Sequence, residues 1–279
     1  MTGSGFGGLR VLAFESRRSL EMAKLIENNG GKATVVPAAR EVPSACRAGL
    51  SEFAASLLDG NLDLVIFLTG VGTRALAQAM EQFCSRAQLA AALSRLSVVA
   101  RGPKPAAALR ELGVPVTWNV PEPNTWRELL QLLDEKGIAL KDRLVAVQEY
   151  GVPSQELLAG LAQRGARTLT VHIYDWVLPE DRTPLKNAIL ALQQGEVDVT
   201  LFTAAVQVCH LMQVADEVKA RESLVRALNE TTVASIGPVT SEQLRAYGIR
   251  MDLEPTHPKM GFLVSEAAAF HSARPRRCN

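Results

Sequence analysis

The sequence has few aromatic residues, few cysteines and no long apolar run. Aromatic residues make up 5% of the 279 residues, and there are 4 cysteines. The cysteines are far apart along the chain and lack the close spacing of metal ligands, so we expect reduced thiols and no metal site. They are Cys46, Cys84, Cys209 and Cys278. A stretch of about 18 uninterrupted apolar residues is missing, which argues against a membrane-spanning helix and a membrane partner.

Neither sign of charge is in excess. The 30 Lys and Arg residues are offset by 29 Asp and Glu residues, giving a net charge of +1. This balance argues against nucleic acid as a partner, although local basic clusters remain able to bind a small anion. The first eight residues lack the basic segment followed by an apolar segment that a signal peptide has. We therefore expect a cytoplasmic protein.

Several cofactor and catalytic motifs are also missing. The chain has no phosphate-binding Gly-x-x-x-x-Gly-Lys, no zinc-binding His-Glu-x-x-His and no Gly-x-Ser-x-Gly, and we predict no cofactor. One weaker alternative is an NADP-dependent oxidoreductase. Residues 70–75 have the form Gly-x-Gly-x-x-Ala after a strand, and Arg101 is placed to accept a 2′-phosphate. The next strand, however, lacks the usual acidic residue.

The chain does contain a regular alternation of short apolar strands and amphipathic helices. The first predicted elements of this kind after residue 60 are a strand at 62–69, a helix at 73–83 and a strand at 97–100. Further strands are predicted at 114–118 and 250–253. Such alternation is typical of parallel sheets covered by helices on both faces. Because the length exceeds that of an average domain, we predict an α/β protein with two lobes, each with a mainly parallel sheet flanked by helices.

Residues 168–179 are predicted to connect the two lobes. Their apolar and polar side chains alternate as in an extended strand, and only Asp175 breaks the alternation. A second extended run, residues 32–37, is predicted to pair with them as a two-stranded hinge.

This pairing makes one domain discontinuous. We predict a first domain of residues 1–38 and 176–279, an inserted second domain of residues 43–169, and hinge strands within 32–42 and 168–179. The alternative is two consecutive domains divided near residue 140. Insertion is preferred because residues 10–37 are too few to form a core alone.

The loops that follow the predicted strands share glycines, hydroxyl side chains and scattered cations. In parallel sheets, ligands bind where strands end and helices begin, because unpaired backbone N–H groups point there. A set of such loops suits a ligand with many carboxylates. The other interpretation is that the glycines and threonines only turn the chain and cap helices. The candidate binding residues are Arg17, Thr69, Gly70, Gly72, Arg74, Arg101, Gly102, Lys104, Tyr150, Gly151, Thr203, Ala204, Ala205, Gly237, Pro238, Val239, Thr240, Lys259 and Met260.

Seven segments together resemble the bacterial uroporphyrinogen-III synthase family. They are residues 69–76, 100–105, 147–151, 174–179, 195–203, 235–242 and 257–261. The resemblance implies two α/β lobes joined by a two-stranded ladder, with the substrate in the cleft. It also implies cofactor-free conversion of hydroxymethylbilane, a linear tetrapyrrole with eight carboxylates, into uroporphyrinogen III with loss of water.

The resemblance also assigns roles to individual residues. Tyr174 falls on the hinge tyrosine of the family, which implies that it assists departure of the substrate hydroxyl; the other interpretation is a tyrosine packed in the hinge. Residues 203–204 and 237–240 fall on carboxylate-binding turns of one lobe, and residues 101–104 do so on the other. Ala204 replaces a serine found in many relatives, which leaves backbone binding at that turn.

The resemblance implies a monomer that receives its unstable substrate from hydroxymethylbilane synthase in a transient hand-over. A further alternative is a non-catalytic module that senses tetrapyrroles, since similar domains are fused to DNA-binding domains. The sequence has no basic helix-turn-helix extension of that kind.

Overall fold

The structure is a computed structural model that describes residues 5–44, 49–149 and 154–272. The strands are β1 Arg10–Phe14, β2 Lys32–Val36, β3 Arg40–Pro43, β4 Leu64–Phe67, β5 Ser97–Ala100, β6 Trp118–Asn119, β7 Leu144–Gln148, β8 Arg167–Val171, β9 Tyr174–Val177, β10 Val199–Phe202 and β11 Thr232–Ser235. The helices are α1 Ser19–Asn28, α2 Leu50–Leu58, α3 Gly70–Met80, α4 Arg86–Leu93, α5 Pro103–Glu111, α6 Trp126–Glu135, α7 Gln155–Gln163, α8 Thr183–Gln193, α9 Ala205–Glu217, α10 Arg221–Glu230, α11 Pro238–Ala246 and α12 Met260–Ser272.

The chain divides into two compact units. Unit 1 contains Met1–Arg40 and Val177–Asn279, and unit 2 contains Glu41–Trp176. The predicted α/β class with two lobes is therefore confirmed.

Unit 1 is built on a parallel sheet with the strand order β11-β10-β1-β2. Side chains of a strand point alternately to its two faces, and both faces of β1 are apolar. Leu12 and Phe14 pack in the core on one face, where α8 and α9 also contribute. Val11 and Ala13 pack in the core on the other, with residues of α1 and α12. Burial on both faces explains why β1 is a continuous apolar run.

Unit 2 is built on a parallel sheet with the strand order β6-β5-β4-β7-β8. The central strand β4 is buried along its whole length. Val65 and Phe67 contribute to a core that includes residues of α2 and α3. Leu64 and Ile66 contribute to the core on the opposite face, with residues of α6 and α7. Unit 2 therefore has helices on both faces of its own sheet.

The predicted two-stranded ladder is present within the ranges predicted for it, apart from Pro43, but the pairing of residues 32–37 with 168–179 was wrong. Strand β2 pairs with β1 over five residues, and β8 pairs with β7 over five residues, so both runs extend the main sheets. A separate two-stranded sheet is formed by β3 and β9 instead. The run 168–179 is interrupted at residues 172–173, between β8 and β9. Parallel pairing along a full strand buries more apolar surface than an isolated ribbon does.

Other predicted elements are shorter or shifted. The strand predicted at 114–118 is reduced to β6, and the strand at 250–253 is reduced to a bridge between Ala234 and Leu253. Ser16, which precedes α1 and is of a type that often caps helices, does not cap it and instead accepts a hydrogen bond from the N–H of Ala39. Helix α4 was not predicted.

Within the described residues, every helix is too short or too polar to cross a membrane.

Candidate functional site

The candidate residues of unit 2 gather at the edge where its parallel strands end, which we call the carboxyl edge. Phe67, the last residue of β4, lies opposite Ala100 of β5 and Gln148 of β7. Thr69 lies two residues after the end of β4, and Arg101 lies directly after the end of β5. The N–H of Arg101 donates to the carbonyl of Phe67 at 3.0 Å. The sheet order therefore brings together loops that are 30 to 80 residues apart in the sequence.

Tyr174 lies at this edge and contacts Thr69. The two hydroxyl oxygens are 3.1 Å apart, and the tyrosine is 3% exposed. Thr69 is the N-cap of α3, and its Oγ1 accepts a hydrogen bond from the N–H of Gly72 at 3.0 Å. Its own N–H donates to Oε1 of Gln148 at 3.2 Å. The tyrosine hydroxyl is thus connected through one side chain to the positive end of a helix.

The candidate glycines of unit 2 face protein atoms. A Cβ on Gly70 would lie 2.6 Å from the carbonyl oxygen of Lys104, and one on Gly72 would lie 2.0 Å from Nε2 of Gln148. A Cβ on Gly102 would lie 2.5 Å from Oδ1 of Asn124. Close packing against Lys104, Gln148 and Asn124 therefore restricts these three positions to glycine.

The candidate cations of unit 2 differ in their surroundings. The Arg74 guanidinium makes a two-pronged contact with Glu111 of α5, with N–O distances of 2.7 and 2.6 Å. This hydrogen bonding raises the pKa of Arg74 and lowers that of Glu111. Arg101 is half-buried and Lys104 is exposed, both at the carboxyl edge. Arg74 is therefore engaged by a carboxylate of the protein itself.

A polar cluster at the end of β7 was missed by the sequence reasoning. His172 contacts Glu149 through Nδ1 at 2.8 Å and Asp175 through Nε2 at 2.5 Å. The burial of the ring lowers the pKa of His172, but the two carboxylates outweigh it, and the pKa is raised above its ordinary 6.5. The available signal was Asp175, the one residue that breaks the alternation of 168–179.

In unit 1, Thr203 lies at the carboxyl edge between the ends of β1 and β11. Its hydroxyl donates to Oε2 of Glu15 at 2.6 Å. The backbone N–H groups of Thr203 and Ala204 both donate to Oε1 of Gln207, at 2.8 and 3.0 Å. Gln207 is 4% exposed, and its Nε2 donates back to the Thr203 hydroxyl at 2.8 Å. The turn predicted to bind a carboxylate is thus capped by a side-chain amide.

The remaining candidates of unit 1 lie around the same edge. Gly237 lies between β11 and α11. A Cβ built on Gly237 would lie 3.6 Å from Cβ of Pro258, in the loop before α12. This contact brings the loop of Lys259 and Met260 beside the start of α11. The N–H of Thr240 donates to the carbonyl of Gly237 at 3.1 Å. Ala205 begins α9, Pro238 and Val239 begin α11, and Val239 and Lys259 are exposed.

Arg17 follows β1 with an exposed side chain, and its backbone N–H donates to Oε1 of Glu15 at 2.9 Å. Glu15 therefore accepts hydrogen bonds from the Arg17 backbone and the Thr203 hydroxyl.

Tyr150 and Gly151 lie outside the described residues. Among the residues that are described, no group of three or more His, Cys, Asp or Glu side chains is arranged to hold a metal ion.

Comparisons with known proteins found a matching family model, related proteins and similar solved structures. The family model described as uroporphyrinogen-III synthase HemD matches residues 21–265. The protein YjjA of Bacillus subtilis (strain 168), described as uncharacterized, is 30% identical over 280 residues, covering 98% of this chain and 99% of that protein. A crystal structure of a mutant uroporphyrinogen III synthase from the extremely thermophilic bacterium Thermus thermophilus is similar with a TM-score of 0.70 at 29% identity, covering 95% of this chain and 100% of that one.

The uroporphyrinogen-III synthetase of Helicobacter pylori 26695 is more distant. Its structure gives a TM-score of 0.54 at 15% identity, covering 94% of this chain and 99% of that one. At this identity the likeness shows a shared fold alone.

Proposed function

Because the chain belongs to the uroporphyrinogen-III synthase family, we propose that it catalyses the closure of hydroxymethylbilane to uroporphyrinogen III with loss of water. The observation that carries the proposal is the match over residues 21–265, within which the Tyr174 hydroxyl lies 3.1 Å from that of Thr69 at the start of α3. Both hydroxyls lie at the carboxyl edge, where parallel sheets bind their ligands. The proposed reaction uses no cofactor.

In the proposed reaction, the hydroxyl group of ring A leaves as water after it accepts a proton, which gives an azafulvene. The substituted carbon of ring D then attacks the electrophilic azafulvene, and the resulting spiro intermediate fragments and closes again with ring D inverted. Uncatalysed closure gives the uninverted type I isomer. The enzyme must therefore hold the substrate in the conformation that leads to inversion, which requires orientation more than a strong nucleophile.

We assign Tyr174 the role of assisting departure of the hydroxyl, directly or through an ordered water molecule. A donor that loses its proton gains negative charge, and the positive end of a helix dipole stabilises such charge nearby. Tyr174 is connected to that end of α3 through Thr69. The small exposed fraction of Tyr174 favours contact through its hydroxyl alone.

The substrate carboxylates are assigned to the carboxyl edges of the two sheets. In unit 2 the support comes from Arg101 and Lys104, which carry positive charge at that edge. In unit 1 it comes from the turn at Thr203 and Ala204, whose two N–H groups converge on the single oxygen of Gln207. A carboxylate oxygen accepts the same pair of hydrogen bonds more strongly than an amide oxygen does. Substrate binding at this turn therefore requires Gln207 to move aside.

The proposal is tested by product analysis. Hydroxymethylbilane is generated in the assay by hydroxymethylbilane synthase, the purified protein is added, and the oxidised products are separated into type I and type III isomers. We expect the type III isomer to predominate. Formation of the type I isomer alone, at the rate seen without the protein, would overturn the proposal. Tight substrate binding together with type I product would instead support the sensing module.

A further inference from the structure

We propose that His172 is a positioning residue that, as an imidazolium, links the end of β7 to β9 and thereby fixes the Tyr174 hydroxyl against Thr69. The proposal rests on the proposed function only where it concerns turnover, since Tyr174 is the group assigned to the chemistry. The geometric part concerns unit 2 alone.

The protonation state follows from the contacts of the ring. Nδ1 lies 2.8 Å from Oε2 of Glu149, and Nε2 lies 2.5 Å from Oδ1 of Asp175. An ionised carboxylate only accepts hydrogen bonds, and a neutral imidazole has one donor nitrogen. A neutral ring would therefore turn a lone pair towards one of the two carboxylates. Only the imidazolium donates to both.

We call the two contacts of His172, with Glu149 and with Asp175, the histidine bridge, and its surroundings strengthen it. The side chain of His172 is 18% exposed and that of Glu149 is 7% exposed, so water screens the contact between them weakly. Asp175 also accepts a hydrogen bond from Ser44, and its pKa is lowered chiefly by the hydrogen bond from His172. Within the described chain, the charged groups that face His172 are Glu149 after β7 and Asp175 in β9.

The bridge holds both partners of the hydroxyl contact. On one side, the contact between His172 and Asp175 closes a short loop of chain that contains Tyr174. On the other side, Glu149 follows Gln148, whose Oε1 accepts the N–H of Thr69 at 3.2 Å. Consecutive residues at the end of β7 thus hold Thr69 and the loop that carries Tyr174. Loss of the bridge removes this restraint on the Tyr174 hydroxyl while the ring stays packed in the core and Gln148 still holds Thr69.

A dependence on pH follows. The pKa of His172 in the folded protein is raised above 6.5. The stabilisation from the bridge is therefore complete below the ordinary pKa and is lost as the pH rises through the raised folded value. We expect the Tyr174 hydroxyl to lose its fixed position over that same pH range.

The first test uses NMR and needs no turnover. The full chain is labelled in its 4 histidines and 3 tyrosines, and the signals of His172 and Tyr174 are assigned with His172→Gln and Tyr174→Phe. We expect His172 to titrate above 6.5 and the Tyr174 signal to shift with the same midpoint. In Asp175→Asn, which keeps the side-chain shape, both midpoints should move to lower pH together.

The inference is overturned if His172 is neutral below pH 6.5, or if the Tyr174 signal does not follow its titration. This outcome is independent of whether the protein makes uroporphyrinogen III. If the coupled titration is seen without any turnover, the proposed function fails and the positioning contact stands.

The second test measures turnover against pH. In the unaltered protein, kcat should fall as the pH rises through the His172 midpoint, with KM little changed. Asp175→Asn should shift this decline to lower pH, and His172→Gln should remove it while lowering kcat about tenfold at low pH. The matched control is Arg143→Gln, which breaks an ion pair with Asp63 at the opposite end of β7 and should leave the profile unchanged. An identical pH profile in His172→Gln and the unaltered protein would contradict the inference.

Discussion

The hydroxyl of Tyr174 is the one polar atom of a side chain that is otherwise packed in the core of unit 2. Burying a hydroxyl without a partner costs free energy, and the 3.1 Å contact with Thr69 removes that cost. The same contact places the oxygen at the carboxyl edge. The contact with Thr69 is therefore compatible with both roles considered for Tyr174, a tyrosine packed in the hinge and a proton donor. A kinetic measurement distinguishes the two roles.

Tyr174→Phe removes the hydroxyl and keeps the ring. If the hydroxyl assists departure of water, kcat for formation of the type III isomer should fall about tenfold to a hundredfold, the lower range for a positioned acid. Loss of one hydrogen bond should lower the free energy of unfolding by only about 1 kcal/mol. Initial rates and thermal unfolding measure the two effects.

The control for this change is Tyr247→Phe. Tyr247 follows α11 in unit 1 and interacts with Cys209, away from the assigned residues. Its substitution should leave kcat unaltered. If Tyr174→Phe also keeps full activity, the tyrosine is structural.

Gly72 illustrates how a glycine that resembles a ligand-binding signal is required for packing. In Gly72→Ala, the new methyl group would lie 2.0 Å from Nε2 of Gln148, which is fully buried. Overpacking of this kind should lower the free energy of unfolding by about 1–3 kcal/mol. Gly261→Ala, in the first turn of α12 with open space around it, is the matched control and should not destabilise the protein. Equal stability of the two variants in denaturant unfolding would refute this account.

At the scale of elements, Gln207 shows how a helix start is completed without a capping hydroxyl. Ala204 occupies the N-cap of α9, and the glutamine three residues later accepts from its N–H, which is the reverse half of a capping box. The amide also accepts from the N–H of Thr203. The start of α9 therefore depends on this one side chain.

Gln207→Ala should lower the free energy of unfolding by about 1 kcal/mol, because the half-buried N–H groups of Thr203 and Ala204 lose their acceptor. Its control is Gln193→Ala, since Gln193 is exposed on α8 and bonds only to the Ser223 hydroxyl among the described residues. That change should have almost no effect on chemical denaturation. A small, equal effect of both substitutions would show that α9 starts without the glutamine.

Elements whose signals are local could be predicted from the sequence. Helix α6 begins after Thr125 because Thr125 and Glu128 form a capping box, a pattern that is visible in the sequence. Strand pairing could not be predicted in the same way, since residues 32–37 suit a hinge or a sheet edge equally well. The partner is decided by long-range packing against β1.

The candidate site was predictable to the same extent. Strand ends identified the loops at both carboxyl edges, including Thr69 and Thr203. The partners of those residues were not visible, because Gln148 and Gln207 reach them only after the sheets and helices are formed. The contacts of His172 require the end of β7 to meet the segment 172–175, and the break in alternation at Asp175 was the one sign of them in the sequence.

At the scale of the whole molecule, each unit has its own sheet and its own buried cores. In unit 2 the cores lie on the two faces of the five-stranded sheet and contain residues between Leu50 and Trp176. In unit 1 they combine residues from both ends of the chain. Apolar aliphatic side chains form most of these cores, which agrees with the low aromatic content.

This division predicts that residues 41–176 fold when they are produced alone. The segment is continuous, contains every strand of the five-stranded sheet and has both of its cores, which satisfies the requirements of an independent domain. The matched control is residues 1–140, the first half under the consecutive-domain alternative. That fragment lacks β7, the partner of the central strand β4, and should not fold. We expect cooperative thermal unfolding and dispersed NMR signals for residues 41–176, and neither for residues 1–140. If the continuous unit is unfolded in isolation, its cores are insufficient without unit 1, and the independence of the two units is wrong.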